Sequence, residues 1–228
     1  LIRQMITEGN WEVARELFQT GVQQAIATAN AELAIDLAVL VAGTAKQISP
    51  QAWMVEQIEA ATLGFPKHPK AAVTHHYANI IAGKLAETQP DYQTNALDVW
   101  QRHTSTWPTE ESTNRIRLNI AAFFAKQQNY EMAATELLAI SADSPAFSTA
   151  IGQLVGVLSS VVLDSKLEAT ERRQRIERWV QTIRPKLQED NQWLRQWTLD
   201  SKRLALLLVQ LQLESQDPQA AWIGTLLR

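Results

Sequence analysis

Residues 126–145 read KQQNYEMAATELLAISADSP. A polar turn leads into a short amphipathic helix, and Pro145 stops it. Two other stretches echo this order: EGNWEVARELF at 8–18 and PDYQTNALDVWQRHTSTWP at 90–108. The register is strict between the last two. Ala96 to Ala133, Trp100 to Leu137 and Pro108 to Pro145 share one offset of 37 residues. Three landmarks at one offset point to a repeated helix–turn–helix unit.

Each landmark has a physical role in such a unit. Where two helices cross closely a small residue is needed, and Ala14, Ala96 and Ala133 occupy that place. One turn later a large apolar side chain fills the space between units, which suits Phe18, Trp100 and Leu137. An aromatic follows the turn at Trp11, Tyr92 and Tyr130, with Tyr92 one place out of register. This arrangement resembles the tetratricopeptide repeat (TPR), whose period is about 34 residues. Extra loop residues near 109–112 account for the longer offset. The Trp–Leu–Gly signature of that family's first helix is missing, and the resemblance covers about three of six helix pairs.

Outward from these stretches, apolar residues keep helical spacing almost everywhere, and runs with strand alternation are scarce. Helices are predicted over about 1–8, 11–27, 31–47, 50–63, 70–87, 92–104, 110–127, 130–140, 146–163, 169–188, 191–214 and from 217 onward. The expected fold is all-α. It is a right-handed superhelix (α-solenoid) of about five to six antiparallel TPR-like helix pairs forming one domain over 1–228. Repeats are clearest over 1–145, and longer, less regular helices follow over 146–228. The opening LIRQMITEGN has no initiator Met and no signal-peptide pattern, so the chain reads as a fragment of a longer protein. Cytoplasm and periplasm both suit it.

Composition narrows the chemistry. A 46% hydrophobic chain of 228 residues can bury a sizeable core. Without cysteine it has no disulfide, thiol nucleophile or cysteine-bound zinc. A net charge of -3 supplies no global attraction to nucleic acid. The basic run 171–178, ERRQRIER, interleaves glutamates and reads as a solvated helix face with i, i+4 pairs. His75 and His76 are adjacent and point about 100° apart on a helix, so a shared metal is not expected. Nucleotide-loop, serine-hydrolase and zinc-protease patterns are absent, so neither a cofactor nor an enzymatic role is expected.

Segment 144–163 has no charged residue, and contains the GxxxG of Gly152 and Gly156. Its serines, Thr149 and Gln153 favour a soluble helix over a membrane span, with the small residues admitting a close neighbour. Trp193, Trp197 and the apolar run 204–209 read as a surface covered either by the end of the solenoid or by another chain, hence possible self-association through the C-terminal helices.

In a TPR-type array the first helix of each pair lines the concave face. On the helix over 110–127, Arg115, Asn119, Ala122 and Lys126 form one stripe, while Ile116, Ile120, Phe123 and Phe124 turn to the core. The parallel stripe on 70–87 is His75, Asn79, Ala82 and Ala86, and on 146–163 it is Gly152, Gly156, Ser159 and Leu163. Together they describe a groove for an extended or helical peptide. Asn79 and Asn119 would bond its backbone, and Arg115 and Lys126 would meet acidic groups, with His75 beside them. The expected function is a non-catalytic protein–protein interaction scaffold. The competing expectation is a helical sensor domain that binds a small ligand and controls an attached effector.

Overall fold

The computed structural model describes residues 2–162 except 142, and 168, 170–171, 173–179, 181, 202, 205–206 and 209. Among the described residues there is helix and no strand. The helices are α1 (Ile2–Thr7), α2 (Trp11–Ala27), α3 (Ala31–Thr44), α4 (Ala52–Gly64), α5 (Ala71–Thr88), α6 (Gln93–Thr106), α7 (Glu111–Lys126), α8 (Tyr130–Leu138) and α9 (Phe147–Val162). A 3₁₀ turn, Pro90–Tyr92, precedes α6. Residues 173–179 are helical as expected, and the rest of the helices predicted over 169–188, 191–214 and beyond 217 lies almost wholly outside the described residues.

One turn recurs. Gly9, Ala29 and Gln128 take left-handed φ values of 74°, 53° and 60°. Each is followed by an asparagine whose N–H bonds a carbonyl five residues back: Asn10 to Met5 at 2.9 Å, Asn30 to Ala25 at 2.8 Å, Asn129 to Phe124 at 2.9 Å. The left-handed residue closes one helix and reverses the chain within two residues. Asn30 and Asn129 then cap the next helix, accepting from the N–H of Leu33 at 3.1 Å and Met132 at 3.3 Å. Between α5 and α6 the device is replaced. Gln89 is extended and Pro90–Tyr92 winds as 3₁₀, which puts Tyr92 out of step with Trp11 and Tyr130.

The chain divides into two units, Leu1–Ile116 and Arg117–Arg228. In the first, each helix from α1 to α5 packs on its successor, and α2 also meets α4 as α3 meets α5. Phe18, Ile35, Met54, Ile58, Leu85 and Ile116 are its largest fully buried side chains. Each contributes roughly 1.5–3 kcal/mol by leaving water. Alanines hold the close crossings: Ala14, Ala38, Ala61, Ala78, Ala82 and Ala96 are at most 1% exposed.

In the second unit α8 packs on α9. Ile120, Phe124, Ala133, Leu137, Leu154 and Leu158 are buried there. Arg117 of α7 bonds Glu136 of α8 at 2.8 Å. Within the basic run, Arg175 pairs with Glu171 at 3.0 Å across one turn. Ile176 and Trp179 are buried, Ala205 is buried and Leu206 is 62% exposed. Among the described residues no helix is long and apolar enough to cross a membrane.

Candidate functional site

The stripe expected on α7 is on the surface: Arg115, Asn119, Ala122 and Lys126 are all exposed, and Ile116, Ile120 and Phe124 are buried beneath. In the second unit this face joins a pocket of about 390 Å³. Ala121, Ala122 and Ala125 of α7 line it with Tyr130 of α8 and Gln153, Gly156, Val157 and Ser160 of α9. Ala122 and Gly156, named from sequence as stripe residues, meet in one cavity. Gly152 and Gly156 are exposed, and a Cβ on either would meet nothing within 4 Å. Ser159 is half-buried, and Leu163 lies outside the described residues.

The α5 stripe is placed differently. His75 is 0% and Asn79 2% exposed, and Ala82 is fully buried. These residues face the interior of the first unit and line no groove. The outer face of α5 carries Val73, Tyr77 and Ile80 instead, at 57%, 38% and 42% exposure. Helix α5 is packed against α3, α4 and α6, and only its alanine-bearing side lets three neighbours approach. Val73, Tyr77 and Ile80 are left outside, while Ile81 and Leu85 are buried. The five expected groove residues are therefore split, with His75 and Asn79 buried and Arg115, Asn119 and Lys126 on the surface.

The interior that holds His75 is polar. His75 Nδ1 lies 3.1 Å from His103 Nδ1 of α6. His103 Nε2 lies 2.9 Å from Ser112 Oγ in the first turn of α7. On the other side, His75 Nε2 is 3.4 Å from Glu59 Oε1 of α4, a polar contact that falls short of hydrogen-bond geometry. Glu59 is held in a two-pronged pair by Arg102 Nε at 2.8 Å and Nη2 at 2.9 Å. Asn79 Nδ2 donates to the His75 carbonyl at 3.0 Å and reaches His75 Nδ1 at 3.3 Å. Trp107 covers both imidazoles, 5.0 Å from His75 and 5.1 Å from His103 between ring centres. Its indole N–H is anchored on the Pro66 carbonyl at 2.9 Å. Trp100 in turn donates to the Asn79 carbonyl at 3.2 Å.

Burial sets the charge states. It pushes the His103 imidazole down to about 3, with the positive charges of His75 and His76 as lesser causes. Burial also lowers His76, helped by Arg115 and His75. For Glu59 burial works upward, but the contacts with His75 and Arg102 outweigh it and hold the carboxyl below its usual range. Arg102 is raised, chiefly by its bond to Glu59. His75 Nε2, His76 Nδ1 and Asn79 Oδ1 are buried without a hydrogen-bond partner. Among the described residues no three His, Asp or Glu side chains are placed to hold one metal ion.

Sequence reasoning did not bring Glu59, Arg102, His103, Trp107 and Ser112 into the site. One signal was available: His75 and Asn79 share a helix face with Ala71, Ala78 and Ala82, and small residues mark close packing. The long-range pairing with α4 and α6 had no local signature. No protein-family model matches the chain, and no curated protein matches it.

Proposed function

We propose that the chain is a non-catalytic protein-interaction module, built as a TPR-like right-handed solenoid, that holds a peptide or partner protein on its exposed helix faces. The observation that carries this reading is the outer face of α5. Val73, Tyr77 and Ile80 stand one turn apart and open to solvent, while Thr74, His75 and Asn79 of the same helix are buried. An apolar stripe turned outward at that spacing suits a partner helix or an extended segment. Packing of α2 and of α3 on their next two successors supports the stacked-pair architecture, and the three matching turns support a repeated unit.

The test is a photo-crosslinking residue at position 77 of the full chain, expressed in its native cells. A single saturable adduct, abolished by Ile80→Asp with helicity retained, is expected. Labelling that is diffuse and indifferent to Ile80→Asp would sink the role of this face.

A second reading rests on the α7–α9 pocket. Its volume of about 390 Å³ falls within the range of small-ligand sites, about 300–1,000 Å³. Tyr130, Gln153 and Ser160 supply polar contacts above an alanine and glycine floor. That is the sensor alternative. A metabolite that raises the melting midpoint of the wild type but not of Gly156→Leu would favour it.

A further inference from the structure

The buried imidazoles form more than a packing detail. Two rings in contact through Nδ1 atoms at 3.1 Å hold one proton between those atoms, so one ring donates and the other accepts. Glu59 sets the direction. Its carboxylate faces His75 Nε2 at 3.4 Å, which is tolerable only if that nitrogen carries the proton. His75 Nδ1 is then the acceptor, and His103 must present Nδ1–H. His103 Nε2 is left to accept from the Ser112 hydroxyl at 2.9 Å. The chain Ser112–His103–His75–Glu59 is thus polarised from end to end, and Arg102 closes it by pairing with Glu59 at 2.8 Å.

We propose that His75 and His103 together form a buried site for a single proton, loaded from the partly exposed Ser112 end and holding its charge on His75 beside Glu59. The transfer balances without moving a heavy atom. A proton adds to His103 Nε2, and Ser112 Oγ turns from donor to acceptor. The proton on His103 Nδ1 passes to His75 Nδ1. His103 ends neutral in its other tautomer, and His75 ends as an imidazolium facing the Glu59 carboxylate. The only contact given up is that from Asn79 Nδ2 at 3.3 Å; its firmer bond to the His75 carbonyl at 3.0 Å stays. A second proton has no place, because two imidazolium rings would face each other at contact distance.

The surrounding charges agree with one charge and oppose two. Helix α4 contributes Glu59, and Glu56 acts with it on Tyr92 of the 3₁₀ turn. Helix α6 contributes Arg102 and His103, with Asp98 near Arg102. Helix α5 adds His76, and α7 adds Ser112 and Arg115. The acidic residues of α3, Glu32 and Asp36, are exposed, and Glu32 is turned to His68. Burial keeps His103 from holding the charge itself. Coupled groups of this kind titrate as a pair.

This site stands independently of the interaction role. It is tested on the ¹⁵N-labelled full chain by long-range imidazole ¹H–¹⁵N correlation during acidification. Replacing His68 and His76 by Gln leaves only the pair's signals. At neutral pH one ring should be the Nδ1–H tautomer and the other Nε2–H. Acidification should give one step in which both rings change together, one becoming imidazolium and the other exchanging tautomer. Glu59→Gln should move that step at least about one pH unit lower. Two rings in the Nε2–H form at neutral pH, two separate protonation steps, or unfolding before any uptake would each overturn the proposal.

Discussion

At the scale of single residues, sign matters more than size. Ala29 and Gln128 carry a Cβ in left-handed backbone, a conformation that costs an L-residue roughly 1–2 kcal/mol. Glycine removes that strain but costs about 0.5–1 kcal/mol in chain entropy. Ala29→Gly and Gln128→Gly should therefore stabilise the chain by about 0.5–1 kcal/mol, read as a higher urea midpoint. Ala38→Gly, in the middle of α3, should lower it by about 1 kcal/mol. The asparagines after these turns divide too. Asn30→Ala removes a real cap bond and should cost about 1 kcal/mol. Asn10 makes no such bond, and Asn10→Ala should cost less than half as much.

At the scale of elements, helix existence was legible and helix rotation was not. The bounds of α2 were read correctly to the residue, because Gly9-Asn10 and Ala29-Asn30 punctuate it on both sides. Helix α4 begins at Ala52, past Pro50, since Gln51 holds extended backbone before it. On α7 the core stripe Ile116, Ile120 and Phe124 was apolar and could be read directly. On α5 the same logic inverted the helix. There the buried face mixes alanines, His75, Asn79 and Thr74 with Ile81 and Leu85, while Val73, Tyr77 and Ile80 are exposed. Each residue of register error turns a helix by about 100°, so carrying a stripe from one repeat to the next demands an offset known to the residue. The polar side of α5 meets α4 and α6, which no local pattern announces. Two substitutions separate the faces. Ala82→Leu, which overfills a closed crossing, should cost about 1–3 kcal/mol. Tyr77→Ser should change stability by no more than about 0.5 kcal/mol while removing any partner held there. Paired urea melts and the position-77 crosslink measure both.

At the scale of the whole molecule, the interior histidines set an acid limit. His103 and His76 are lowered on folding, so the unfolded chain binds protons there that the folded chain refuses. For a group depressed on folding, stability is full above its unfolded value and drains as pH falls toward the folded one. For His103 that window runs from the ordinary histidine value near 6.5 down to about 3. Glu59, also depressed, adds to the loss below the ordinary carboxylate range. Each such group steepens the fall by about 1.4 kcal/mol per pH unit. Urea midpoints at several pH values should decline steadily below neutrality. His103→Gln, which cannot take up the proton, should flatten the decline. A midpoint independent of pH between 7 and 4 would contradict the burial of these rings.

Trp107 gives this interior a voice. Its indole is clasped at about 5 Å from both imidazoles, close enough for an excited ring to lose an electron to a charged neighbour and stay dark. Light emitted by the intact chain, minus that of Trp107→Phe, should therefore dim as acid is added and recover when it is withdrawn. The molecule carries its own optical gauge, legible in dilute samples without a dye.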